Sequence, residues 1–194
     1  MEVGGKKLTD VLLEFDRYLS RRMTMVAVGG TALTLLGKKE STKDIDLCFP
    51  TEKDSRAFSE LAKRLGYQEK SGRLIGHNLV IDVYSLGYIF CVQLPEDYLE
   101  KAVQIKDMNH IRLLSLMPMD LIITKTARLN ERDMEDIKTI MESFDLDIEE
   151  LINRYMKVME NSVVRDAKHN LLRLAGEFKF RSKILKKIEK WEYD

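Results

Sequence analysis

The sequence predicts an α+β fold, a mixed sheet flanked by helices and followed by a C-terminal helical region. Short apolar runs with strand character and glycine-marked turns alternate with helical patterns only as far as about residue 93. From Ser115 onward glycine almost vanishes and apolar residues recur at helical spacing. No repeat or low-complexity linker separates the halves, so an α/β domain over 1–112 is expected, with a helical domain over 113–194 packed against it.

Each element has its own signal. Leu8, Val11, Leu12, Phe15 and Leu19 recur at helical spacing between charged residues and predict a helix over 7–21. Met25 to Val28 reads as a short strand. Gly29-Gly30 permits a turn with close backbone approach, and Thr31 to Leu36 begin a helix that Gly37 ends. A strand runs through Asp44 to Phe49, and Thr51 opens an amphipathic helix that stops at Gly66. Residues 67–70, 79–85 and 88–93 read as strands. Pro118 suits a first helical turn, with Leu121, Ile122, Lys125 and Leu129 continuing the period. Further helices are predicted over 131–144, from Asp147 with Glu150 as a capping partner, over 163–175 and over 178–191.

Composition excludes several classes. Lys plus Arg and Asp plus Glu both number 32, so bulk charge argues for neither nucleic-acid nor membrane binding. No window approaches the ~18 apolar residues of a membrane helix, and the first residues lack a signal-peptide core. A cytoplasmic protein with no membrane partner is expected. Cys48, Cys91 and the three histidines have no metal-ligand spacing, which leaves reduced thiols.

The chemistry lies in the acids. Successive strand side chains alternate, so Asp44 and Asp46 share one face while Ile45, Leu47 and Phe49 share the other. In the later strand Val80, Asp82 and Tyr84 face opposite to Leu79, Ile81 and Val83. The expectation is a buried apolar face and an open acidic one, with three carboxylates converging if the strands are neighbours. Close carboxylates repel unless a cation sits between them, and hard oxygen ligands suit Mg²⁺. A single Asp-x-Asp is usually a solvated strand end. Here the third acid in an apolar strand and the glycine turn, whose helix start suits phosphate, favour a metal site.

Gly29-Gly30, Asp44-x-Asp46 and Asp82 together resemble the nucleotidyltransferase superfamily of polymerase beta, the tRNA nucleotide-adding enzymes and the kanamycin-type transferases. The stretch Asp120 to Ile137, with Lys125, Arg128, Arg132, Asp133 and Asp136, resembles the AbiEii-like, toxin-antitoxin-associated branch. Many members carry Gly-Ser at the turn where this chain has Gly30, and Thr31 is the nearest hydroxyl. The resemblance implies a Mg²⁺-dependent transfer of NMP from a bound NTP to a hydroxyl, with two ions, replaceable by Mn²⁺. It implies Asp44, Asp46 and Asp82 as metal ligands and catalytic acids, Gly29, Gly30 and Thr31 around phosphate, and Lys125 on the triphosphate. Arg128, Arg132 and Asp136 would lie near the nucleotide. The implied acceptor is RNA such as a tRNA 3′ end, a partner protein or a small antibiotic, and a cognate toxin or antitoxin is an implied partner. A non-catalytic binding module is the rival reading.

Two basic segments stay open. Lys38, Lys39 and Lys43 either form a solvated loop or contact nucleotide or RNA. Lys179, Arg181, Lys183, Lys186, Lys187 and Lys190, beside Phe178, Phe180 and Trp191, form either a solvated helix face or a hold on an RNA backbone.

Overall fold

The computed structural model describes residues 2–193. Its elements in chain order are β1 (Val3–Gly4), α1 (Gly5–Tyr18), β2 (Met23–Ala27), α2 (Gly29–Leu35), β3 (Ser41–Thr42), β4 (Ile45–Phe49), α3 (Glu52–Arg64), β5 (Gln68–Lys70), β6 (Arg73–Gly76), β7 (Leu79–Ser85), β8 (Tyr88–Ile89), β9 (Val92–Gln93), β10 (Val103–Asp107), β11 (Ile111–Ser115), α4 (Pro118–Thr126), α5 (Glu131–Ser143), α6 (Ile148–Met159), α7 (Ala167–Glu177) and α8 (Ser182–Glu189). This is the α+β class that the sequence predicts. No helix among the described residues is long and apolar enough to cross a membrane.

Two compact units divide the chain. The first runs to Tyr88 and resumes over Glu96–Met117, and the second takes Ile89–Pro95 and everything from Pro118. β11 pairs with β2, so residues 113–117 stay with the sheet rather than joining the helices. The sheet order is β10-β11-β2-β4-β7-β6-β5, mixed in direction, with β11·β2 and β4·β7 parallel. β6, β10 and β11 lie outside the strands read from the sequence.

The core of the first unit explains the pattern. Leu8, Leu12 and Phe15 of α1 and Phe58, Leu61 and Ala62 of α3 form one cluster with Ile45, Leu47 and Phe49 of β4 and Leu79 and Ile81 of β7. Phe58 ties it together, with ring centroids 4.6 Å from Phe15 and 5.1 Å from Phe49. Each leucine, isoleucine or phenylalanine among them contributes about 1.5–3 kcal/mol by leaving water, which fixes the face that β4 and β7 turn inward. Asp46 and Asp82 must then lie on the other face.

In the second unit α4 packs against α5, α6 and α7, and every residue from Asp120 to Thr126 is buried. The entries to α5 and α6 are capped. The Asn130 side chain accepts from the Asp133 N–H at 3.0 Å, and the Asp147 carboxylate accepts from those of Glu149 and Glu150 at 2.8 and 3.1 Å. α8 turns Ile184 and Ile188 inward, while Lys183 pairs with Glu149 and Lys187 with Asn153.

Candidate active site

Gly29 and Gly30 lead from the end of β2 into α2. Gly29 has φ +55°, a conformation that glycine adopts without strain. A Cβ on Gly30 would lie 2.6 Å from the Thr42 hydroxyl oxygen. A side chain at position 30 would therefore require Thr42 to shift.

One residue further, Thr31 acts on the acids themselves. Its hydroxyl accepts from the Asp46 N–H at 2.9 Å and donates to the Asp44 carbonyl at 3.0 Å, and the Val28 N–H donates to the Asp46 carbonyl at 3.1 Å. A hydroxyl has one proton, and Asp44 takes it. Thr31 thus braces the Asp44–Asp46 backbone. Thr31→Val keeps the shape but orphans the buried Asp46 N–H, so a loss of about 1–3 kcal/mol is expected in denaturant unfolding. Thr31→Ser should recover most of it.

The acids meet through sheet register. Asp46 of β4 is the Cα partner of Asp82 in the parallel strand β7, and Asp82 is the Cα partner of Arg73 in the antiparallel strand β6. Neighbouring strands lie about 4.8 Å apart, so Asp46, Asp82 and Arg73 form one row of side chains on one face. Asp44 stands two residues before Asp46 on that face. The Arg73 guanidinium donates to both oxygens of Asp82, at 2.6 and 2.8 Å, and reaches Asp44 at 3.0 Å. These bonds, those to Asp82 first, hold Arg73 above its ordinary basicity.

The acidic face is less open than expected. All five residues of β4 are buried, because the strand is central and α2 packs against it. Cys48 lies on the same face as Asp46, and burial pushes its thiol up to about 11, so it adds no charge there. Asp82 and Asp44 keep 17% and 38% of their side chains exposed, and through them the row meets solvent.

The donors fit a hard divalent ion in kind, since all are carboxylate oxygens; register sets Asp46 beside Asp82, and one guanidinium spans Asp82 and Asp44. Among the described residues, however, no three carboxylate, histidine or cysteine side chains close around one point. The expected convergence of three oxygens is replaced by an arginine bridge. Sequence reasoning missed Arg73, although two turns announce it. Ser71-Gly72 and His77-Asn78 are two-residue hairpin loops with positive φ throughout, and the second fixes Gly76 opposite Leu79. Counting three residues away from the turn, back along β6 and forward along β7, puts Arg73 opposite Asp82.

The remaining candidates sit as follows. Lys43 is exposed in the bend before Asp44, and Arg132 is exposed on α5. Lys125 is 2% exposed, and its ammonium lies 2.6 Å from Asp136 and 3.5 Å from Asp133 within the second unit. Its charge is paired with these two acids. Asp136 is correspondingly the acid that holds it. Arg128 bonds Asp133 at 2.9 Å and stacks 3.8 Å above the Phe90 ring.

Comparison with known proteins agrees with this architecture. No curated protein matches the chain. Among solved structures, the crystal structure of ANT(2'')-Ia in complex with adenylyl-2''-tobramycin is similar in fold, with TM-score 0.56 and 13% identity over 79% of this chain and 96% of that one. The solution structure of ANT(2'')-Ia gives TM-score 0.53 and 13% identity over 81% and 94%. A family model described as a nucleotidyltransferase of unknown function (DUF6036) matches residues 6–185, so the chain belongs to that family and is a transferase enzyme of the nucleotidyltransferase class.

Proposed function

We propose that the protein moves a nucleoside monophosphate from an NTP to an acceptor hydroxyl with release of pyrophosphate, in a Mg²⁺-dependent reaction at Asp44, Asp46 and Asp82. One observation carries the reading: Asp46 and Asp82 are register partners on one sheet face, with Asp44 tied to Asp82 through Arg73. Asp44, Asp46 and Asp82 would hold the divalent ion. When bound, it neutralises the triphosphate and lowers the pKa of an oxygen nucleophile. Asp46, braced by Thr31, fixes the position of the donor set, and Asp82, nearer to solvent, takes the proton of the attacking hydroxyl. The Gly29-Gly30 turn brings backbone close to the phosphates. Lys43, exposed just before Asp44, supplies positive charge beside the acids, whereas Lys125 and Asp136 brace the helices.

The acceptor in this proposal is an RNA 3′ end such as that of tRNA, or a hydroxyl on a partner protein. The AbiEii-like stretch over 120–137 supports this choice, and with it a toxin-antitoxin setting and a cytoplasmic location. A second reading, transfer to a small antibiotic, is favoured by the similarity in fold to ANT(2'')-Ia across 96% of that chain. Incubation with Mg²⁺ and each α-³²P-labelled NTP, alone, with total tRNA and with an aminoglycoside panel, separates these. Label in tRNA supports the first reading and label in an aminoglycoside the second. Nucleotide binding without transfer to any acceptor would leave the non-catalytic module.

A further inference from the structure

We infer that Arg73 is an internal counter-cation of the acid row, holding Asp44 and Asp82 while no divalent ion is bound and giving them up when one binds. The inference rests on the proposed reading of these acids as metal ligands.

Three observations carry it. First, Arg73 is not a loose surface side chain. Two tight turns, Ser71-Gly72 and His77-Asn78, lock β5, β6 and β7 into a meander whose register sets Arg73 directly opposite Asp82. Secondly, its guanidinium bonds both oxygens of Asp82 and one of Asp44, the same oxygens that a metal would use. A second cation at the same oxygens would be repelled, so the two compete. Thirdly, the Arg73 side chain is 41% exposed while that of Asp82 is 17% exposed. The guanidinium lies on the solvent side and can swing away by side-chain rotation while the strand stays in register.

The consequence is a pair of effects with opposite signs. Without Arg73 the neighbouring carboxylates of the metal-free protein repel one another, so stability falls. Without Arg73 the divalent ion also has no rival, so its affinity rises. A permanent clamp that merely aims the carboxylates would instead lower metal affinity on removal.

Arg73→Gln and Arg73→Lys test this, with Mn²⁺ binding followed by calorimetry and thermal unfolding followed in EDTA and in saturating Mn²⁺. Arg73→Gln is expected to bind Mn²⁺ at least about tenfold more tightly than wild type, and to melt earlier in EDTA, with that gap closing when Mn²⁺ is added. Arg73→Lys keeps the charge but loses the two-pronged contact, and should lie between the two. If Arg73→Gln does not fold, an affinity for Mn²⁺ unchanged or weakened in Arg73→Lys overturns the inference by itself. Asp46→Asn separates the two levels of argument. Should that variant lose Mn²⁺ while Arg73→Gln binds it unchanged or more weakly, the counter-cation role is wrong and the metal-site reading survives. Wild-type Mn²⁺ affinity in Asp46→Asn would instead sink the metal-site reading.

Discussion

Asp46→Asn is expected to lower nucleotidyl transfer by at least about 10²–10³-fold, the scale on which losing one preorganised electrostatic group is felt. The backbone of Asp46 is held from both sides, by the Thr31 hydroxyl on its N–H and by the Val28 N–H on its carbonyl, and neither contact involves the side chain. Asparagine therefore keeps both backbone contacts while removing the charge. Asp46 is also the register partner of Asp82, so neutralising it relieves repulsion between adjacent carboxylates. Activity and stability should therefore move in opposite directions, with transfer lost and the melting temperature unchanged or raised. Single-turnover transfer of labelled NMP beside a thermal melt reads both. A variant that loses activity only because it unfolds would show a lower melting temperature, and one that transfers label at the wild-type rate would remove Asp46 from the chemistry.

The parts of this site that the sequence made legible are those set by local rules. Period-two alternation put Asp44 and Asp46 on one face and Asp82 opposite Leu79, Ile81 and Val83, and β4 and β7 do point those apolar residues at the Phe15, Phe49 and Phe58 cluster or its edge. Helices with strong stripes and caps fell within a few residues of their observed spans, as at Thr51, Asn130 and Asp147. What could not be read depended on pairing across the sheet. β11 is apolar over Leu113 and Leu114 but owes its place to parallel pairing with β2, and to Asp16, whose carboxylate accepts the N–H groups of His110 and Ile111 at 2.7 and 2.8 Å. Those contacts span more than ninety residues, and no local window contains them. Lys125 shows the same limit from the other side. Its period with Leu121, Ile122 and Leu129 was readable, but the pairing of its ammonium with Asp136 on the next helix was not.

Asp120→Ala should destabilise the helical unit by about 3–5 kcal/mol, because it strands a charge rather than merely deleting a contact. Asp120 is 0% exposed, and Arg154 of α6 engages both of its oxygens, at 2.7 and 2.9 Å, with only 9% of the arginine side chain exposed. With the carboxylate gone, the guanidinium must find water through a helix interface or remain buried and uncompensated. The cost is thus mostly the penalty on the survivor, and the paired substitution tests that origin. Asp120→Leu with Arg154→Met removes both charges and refills much of the space, so it should recover most of the loss in urea unfolding. If the double variant were as unstable as Asp120→Ala, packing rather than charge would be the cause. The same reasoning governs Lys125, whose ammonium lies 2.6 Å from Asp136 at 2% exposure. Loss of nucleotide binding in a Lys125 variant becomes evidence of contact with phosphate only after its stability has been matched to that of wild type.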